Sequence, residues 1–255
     1  MLQVQGLTKT YSSVPAVEDV SFTIRPGEVL GYLGPNGSGK STTVKVITGL
    51  LEPTKGMVLF KGIRISEDLA RYKSQLGYVP EEANLYPFLS GLEYLQLTGR
   101  LRGMPEKLIA RRADELLSLF SLHPHRHVFM SAYSKGMRQR ILLISAIMHN
   151  PELMIFDEPL SGLDVTSALI FRRLIDALSR QGKTIFYCSH VLEVVEKVCS
   201  HVTILHRGRQ LAYGTVDDLK EFQSLPTLEA AFSNLVQEVD AGQSAQAIVE
   251  AIGRQ

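Results

Sequence analysis

Only two cysteines occur in the 255 residues of this chain, too few for a disulfide framework. Cys188 lies in the apolar run TIFYC and reads as a small core residue. A reducing, cytosolic setting is therefore the expectation. Charge of one sign is also missing: 27 Lys and Arg against 26 Asp and Glu leave +1. That balance gives no overall pull toward nucleic acid or anionic lipid, and no nucleic-acid partner is expected. Long hydrophobic runs are absent. Stretches such as Ile141–Ile144 or Ala146–Met148 fall far short of the ~18 apolar residues that a membrane span needs. The start, MLQVQGLTKTY, has no signal-peptide core. If the protein serves a membrane, a partner must hold it there. Neither internal repeats nor low-complexity tracts occur.

What is present suits a folded chain with a sizeable core, 45% hydrophobic and 21% charged. Leu2–Leu7 and Val17–Ile24 alternate as strands do, and Glu28–Leu33 reads as a short apolar strand ending at a glycine-rich turn. Helix is expected over 40–50 and strand at Met57–Phe60. Between 85 and 140 the spacing turns helical, in LEYLQLTGRLRG and EKLIARRADELLSLFSL, which predicts an inserted helical subdomain. Strand and helix then alternate. Strands are expected at Leu153–Phe156, Thr184–Cys188, His201–Leu205 and Gln210–Tyr213, with helices near Ser167–Arg180 and Val191–Cys199. This βα order predicts an α/β fold with a mainly parallel sheet covered by helices. One or two small helices are expected after Pro226.

Two motifs carry chemistry. Gly34-Pro35-Asn36-Gly37-Ser38-Gly39-Lys40-Ser41-Thr42 follows a strand and opens a helix. Its glycines let backbone N–H groups curl around phosphate oxygens, and the helix start adds positive potential. Lys40 should reach the β- and γ-phosphates, and the Ser41 hydroxyl suits Mg²⁺, a hard cation. In Leu153-Met-Ile-Phe-Asp157-Glu158 an apolar strand delivers two acids. Burying them is costly unless they meet a cation or a reacting group. Asp157 is expected to hold Mg²⁺ through water, and Glu158 to orient and deprotonate an attacking water. His190, just past the strand Thr184–Cys188, should open onto the same crevice and reach the γ-phosphate. A second helix start, Ala132-Tyr-Ser134-Lys-Gly136-Met-Arg, is also built for an anion. One chain thus has two anion-binding helix starts and one nucleotide loop.

Together these stretches resemble the nucleotide-binding subunit of ATP-binding cassette (ABC) transporters, over about residues 1–225. GPNGSGKST matches the Walker A loop, LMIFDEP the Walker B strand, SGLD at 161–164 the D-loop, His190 the switch histidine and YSKGMRQR the signature. The resemblance implies a P-loop core (1–84 and 141–225) with an N-terminal antiparallel β subdomain. It also implies a helical subdomain (85–140) carrying the signature, and a C-terminal helical tail (226–255). It implies ATP hydrolysis with Mg²⁺, Tyr11 stacked on adenine, and Asp164 at the nucleotide. Ser134 and Gly136 would cap the ATP of a second cassette, identical or not, packed head to tail. The remaining partner would be an integral membrane permease, with this chain peripheral on the cytoplasmic face of the cell membrane. SKGM, PEE at 80–82 and Thr227-Leu-Glu-Ala-Ala-Phe232 look like the branch serving separate exporter-type permeases, so export is preferred over import. Two positions depart from the family. Lys135 replaces a glycine, and either adds a cation to the partner's nucleotide or points to solvent. Glu81 replaces a glutamine, keeping an oxygen for Mg²⁺ but adding negative charge.

Rival functions find less in the chain. A soluble ABC-type ATPase acting on ribosomes or DNA usually joins two cassettes or carries a long coiled-coil insertion. A GTPase should show Asn-Lys-x-Asp, and a kinase needs an acceptor pocket. His123-Pro-His125-Arg-His127 reads as an exposed loop rather than a metal site. The basic residues Arg100, Arg102, Lys107, Arg111 and Arg112 read as the solvated face of amphipathic helices.

Overall fold

The computed structural model describes residues 1–82 and 85–223, together with Thr227 and Phe232. β1 (Leu2–Tyr11) turns Leu2, Val4 and Leu7 inward. The step from every second to every third residue falls at Gly6, whose φ of +57° accompanies a shift of register. Such a bulge inserts one residue without losing the buried face. β2 (Val14–Ile24) returns antiparallel, pairing Leu2 with Ile24 and Val4 with Phe22. β3 (Val29–Leu33) is buried along its whole length, as a strand covered on both faces must be. It passes through the glycine-rich turn into α1 (Lys40–Ile47). β4 (Lys55–Phe60) pairs with β1 and β5 (Ile63–Arg64) with β4, so an antiparallel layer grows at this end. α2 (Leu69–Ser74) then leads into β6 (Leu76–Val79).

Helices follow: α3 (Gly91–Leu101), α4 (Glu106–Leu119), single 3-10 turns at His123–His125 and Met130–Ala132, and α5 (Lys135–Ile147). α3 opens on a capping box, in which the Ser90 hydroxyl accepts from the Glu93 N–H and the Glu93 carboxylate accepts from the Ser90 N–H. α5 is apolar on two faces. Ile141 and Ile144 pack with Leu95 and Ile109 in the helical layer, whereas Leu142, Leu143 and Ala146 pack against the sheet. Spacings of three and four build each stripe, so one helix joins two cores.

Strand and helix then alternate through β7 (Leu153–Asp157), α6 (Val165–Arg180), β8 (Thr184–Cys188), α7 (Leu192–Val198), β9 (His201–His206), β10 (Arg209–Thr215) and α8 (Val216–Gln223). The sheet order is β5-β4-β1-β2-β10-β9-β3-β8-β7-β6. Strands β9, β3, β8, β7 and β6 are parallel, and a bridge from Arg209 to Glu18, the only one between β10 and β2 among the described residues, joins them through β10 to the antiparallel layer. Register sets Tyr32, Cys188 and Asp157 level with one another, with Val79 beside Phe156. The carboxyl ends of four neighbouring strands therefore open on one edge, where parallel sheets bind ligands.

Several bounds differ from those read off the sequence. The first strands are longer, because pairing carries them past the apolar alternation to Tyr11 and back from Val14. The helix expected over 40–50 stops at Ile47, where Thr48 caps it and Gly49, at φ +67°, turns the chain away. α2 and β5 are too short for periodicity to register. The helices expected after Pro226 lie outside the described residues. No helix among the described residues is long and apolar enough to cross a membrane.

Candidate active site

The loop between β3 and α1 is shaped by its glycines. Gly37 and Gly39 hold φ of +78° and +103°, where a side chain is strained. A Cβ on Gly34 would lie 2.4 Å from both the Leu205 carbonyl oxygen and Ser38 Oγ. Ser38 Oγ is buried and makes no hydrogen bond within the described residues. The Lys40 ammonium arches back over the loop, donating to the Gly34 carbonyl at 2.6 Å and the Pro35 carbonyl at 3.1 Å. Below, the Tyr32 hydroxyl and Thr43 Oγ1 meet at 3.0 Å and anchor α1 to β3.

Opposite stand the acids. Asp157 is 5% exposed, and burial pushes its carboxyl up to about 6. A hydrogen bond from the Cys188 thiol opposes that rise, while the neighbouring Glu81 and Glu158 add to it. Glu158 occupies the left-handed region at φ +48°, its N–H donating to the Cys188 carbonyl at 2.9 Å. Strain of this kind in a non-glycine residue persists only where surrounding contacts enforce it. Two side chains hold the Glu158 carboxylate: Ser189 Oγ donates at 3.2 Å, and His190 Nδ1 lies at 2.7 Å. A cavity of about 510 Å³ collects these groups. Gly34 to Thr42 line it apart from buried Ser38, together with Glu81, Asp157, Glu158, His190 and Ala16.

Other expected residues lie elsewhere. Tyr11 ends β1 half-exposed, with Lys9 Nζ 5.7 Å from its ring, and is not among the residues that line the cavity. Asp164 caps α6, accepting from the Ser167 N–H and hydroxyl, which hold its carboxyl below the usual range. Ser134 caps α5 by accepting from the Met137 N–H at 3.2 Å, and neither it nor Gly136 lines the cavity. Lys135 is exposed and finds a partner within its own chain. Its ammonium donates to Ser161 Oγ at 2.9 Å, because its stem crosses Gly162, where no side chain stands in the way.

Residues the sequence reading passed over are Ala16, Ser189 and Gln139. Gln139, 2% exposed, donates to the Pro159 carbonyl at 3.0 Å. Only the dipeptide Ser189-His190 held a local clue, a hydroxyl beside the histidine. Cys188, read as simple core, also serves Asp157. Away from the cavity, His123 Nε2 lies 2.8 Å from Asp114 Oδ1 and Arg100 forks onto Glu106, both at the surface.

The model of the family described as ABC transporter matches residues 17–161, which span the loop, both acids and α5. The chain belongs to the ABC transporter family of ATP-binding proteins. It is 38% identical over 220 residues to the ABC transporter ATP-binding protein NatA of Bacillus subtilis, covering 86% of this chain and 89% of that one. It is 37% identical to the linearmycin resistance ATP-binding protein LnrL of the same organism, covering 86% and 70%. It is 34% identical to the Nod factor export ATP-binding protein I of Cupriavidus metallidurans, covering 86% and 72%. A solved ATP-binding subunit of an ABC transporter superposes with a TM-score of 0.88 at 34% identity, covering 92% and 99%. A dimeric post-hydrolysis cassette bound to ADP and Pi gives 0.78 at 26% identity, covering 84% and 98%. The cassette is thus an ATPase of the P-loop α/β class.

Proposed function

We propose that this cassette is the ATP-hydrolysing subunit of an exporter, driving a separate membrane permease as one member of a cassette pair. The observation that carries the catalytic part is Glu158, fixed between Ser189 and His190 and facing the phosphate loop across one cavity. Loop N–H groups and Lys40 would bind the β- and γ-phosphates. Ser41, Asp157 and Glu81 supply the oxygen donors a hard divalent cation takes, and Mg²⁺ held there would offset phosphate charge. The buried Asp157, its carboxyl raised by desolvation, fits a site completed by a cation. Glu158 then takes a proton from water as its oxygen attacks the γ-phosphorus; the bond to the ADP oxygen breaks, leaving ADP and phosphate. His190 keeps the carboxylate aimed.

Pairing follows from the second anion-binding helix start. Ser134 and Gly136 lie outside their own chain's cavity, so a second cassette is what they serve, and Asp164 would face that junction. Tyr11, paired with Val14 in the strand that carries Ala16 to the cavity wall, would stack on adenine. Residues 85–140 would act as a subdomain around an apolar cluster that Ile141, Ile144 and Met148 complete, with 1–84 and 141–225 as the core. Tyr86, Phe88 and Phe129 form an exposed apolar patch there, since strand-like bonds join Leu89 to Met130 and Pro87 to Ser131. A permease seated on that patch would sit just downstream of Glu81, and would hold the cassette on the cytoplasmic face of the membrane. Relatives named for export and for resistance support the outward direction.

Glu158→Gln tests the reading. Turnover should fall by ~10²-fold or more with ATP affinity retained, as loss of a general base predicts. Near-normal turnover would remove Glu158 from this role. Copurification of the tagged chain from membranes should bring down an integral membrane subunit.

A further inference from the structure

The segment from Pro159 to Gly162 connects Glu158 to α6, and it is held to the first turns of α5 at three points. Gln139 Nε2 donates to the Pro159 carbonyl at 3.0 Å, out of contact with solvent. Gly136 packs on Gly162 so closely that a Cβ at 136 would lie 2.8 Å from the Gly162 carbonyl oxygen. The third point is Lys135, whose Cγ and Cδ cover Gly162 and whose ammonium donates to Ser161 Oγ at 2.9 Å. Ser161 in turn closes a turn on Glu158, its N–H donating to the Glu158 carbonyl at 3.1 Å. Glu158 sits at φ +48°, so its carboxylate direction depends on how firmly that turn is held. Of the three points, only the Lys135 contact joins two side chains across the surface, so it alone can be broken without disturbing buried packing.

We propose that Lys135 is a positioning residue for ATP hydrolysis. Through Ser161 it fixes the 158–161 turn, so that the anion-binding start of α5 and the hydrolytic carboxylate move as one body. This rests on the reading of Glu158 as the base that activates water. It assigns Lys135 an intrachain task, not a contact with the nucleotide of a second cassette.

The test measures steady-state ATP hydrolysis and, separately, binding of a fluorescent ATP analogue. The full chain is compared with Lys135→Met, which keeps the stem over Gly162, and with Ser161→Ala, the double variant, Lys135→Arg and Glu158→Gln. Lys135→Met and Ser161→Ala should each lower kcat by about three- to tenfold, the effect of one charged hydrogen bond at a partly exposed site. KM and analogue affinity should stay within about twofold, and the double variant should be no slower than the slower single one, as a shared contact requires. Lys135→Arg, which can still donate to Ser161, should recover most of the rate. Multiplicative losses in the double variant, wild-type kcat in either single variant, or a loss of affinity with kcat intact would each overturn the proposal. A normal rate in Glu158→Gln would instead bring down the catalytic reading beneath it.

Discussion

Replacing Asp157 by Asn should make the nucleotide-free cassette more stable while lowering ATP hydrolysis. The carboxyl is 5% exposed, and burial lifts it from its ordinary 3.8 to about 6. Each tenfold change in protonation corresponds to about 1.4 kcal/mol, so keeping this group ionised near pH 8 costs the folded state about 3 kcal/mol. Between pH 4 and 6 the folded chain keeps a proton that the unfolded chain has released, so stability falls as pH rises through this window. Below about pH 4 both states are protonated and the penalty is gone. An asparagine carries no charge at any of these values and can still accept from the Cys188 thiol. Urea unfolding at pH 4, 6 and 8, with chelator and without nucleotide, should show Asp157→Asn gaining up to about 3 kcal/mol over the parent at pH 8. That gain should shrink toward zero at pH 4, because groups other than Asp157 cancel in the difference. A variant no more stable than the parent at pH 8, or an advantage that grows on acidification, would refute the reasoning. In the parent, added Mg²⁺ and ATP should restore stability by mass action, and in the variant much less.

Other expected outcomes concern binding and packing. Lys40→Ala should weaken ATP binding about tenfold or more, through loss of charge-assisted contacts to phosphate, and titration with a fluorescent analogue reads this directly. Unchanged affinity would count against the loop as the phosphate grip. Gly34→Ala should disturb the same loop, because its new methyl meets the Leu205 carbonyl and Ser38 at 2.4 Å; both lower Tm and lost nucleotide binding are expected. Ile144→Ala, at a fully buried position of the helical layer, should cost about 2–4 kcal/mol in urea unfolding, from lost transfer energy and a residual cavity. A cost below 1 kcal/mol would show that this layer repacks freely.

The helical stretch after residue 85 was legible because its apolar positions repeat every three or four residues, and the two-faced character of α5 follows the same rule. β5 and α2 were not, since two and six residues carry too little pattern. The phosphate loop was legible for another reason. Gly34, Gly37, Gly39, Lys40 and Ser41 all fall within residues 34–41, so backbone freedom, cation and hydroxyl meet without help from distant parts of the chain. Asp157 and Glu158 were legible as acids ending an apolar strand, but not as a desolvated carboxyl, raised above its ordinary range, beside an aimed one. The contact of Lys135 with Ser161 was not legible, since the two residues lie 26 apart in the chain and meet only after α5 and the loop behind β7 have packed.

From the amino acids alone came what a single segment dictates: glycine freedom in the phosphate loop, helix periodicity, and the kinds of groups present at each strand end. Strand order and register decided the rest. By setting Tyr32, Cys188 and Asp157 level, they determined which of those groups share a cavity and which face away. The division has a physical cause. Backbone preference acts over a few residues, whereas burial, desolvation and aim arise between segments that only the folded sheet brings within reach.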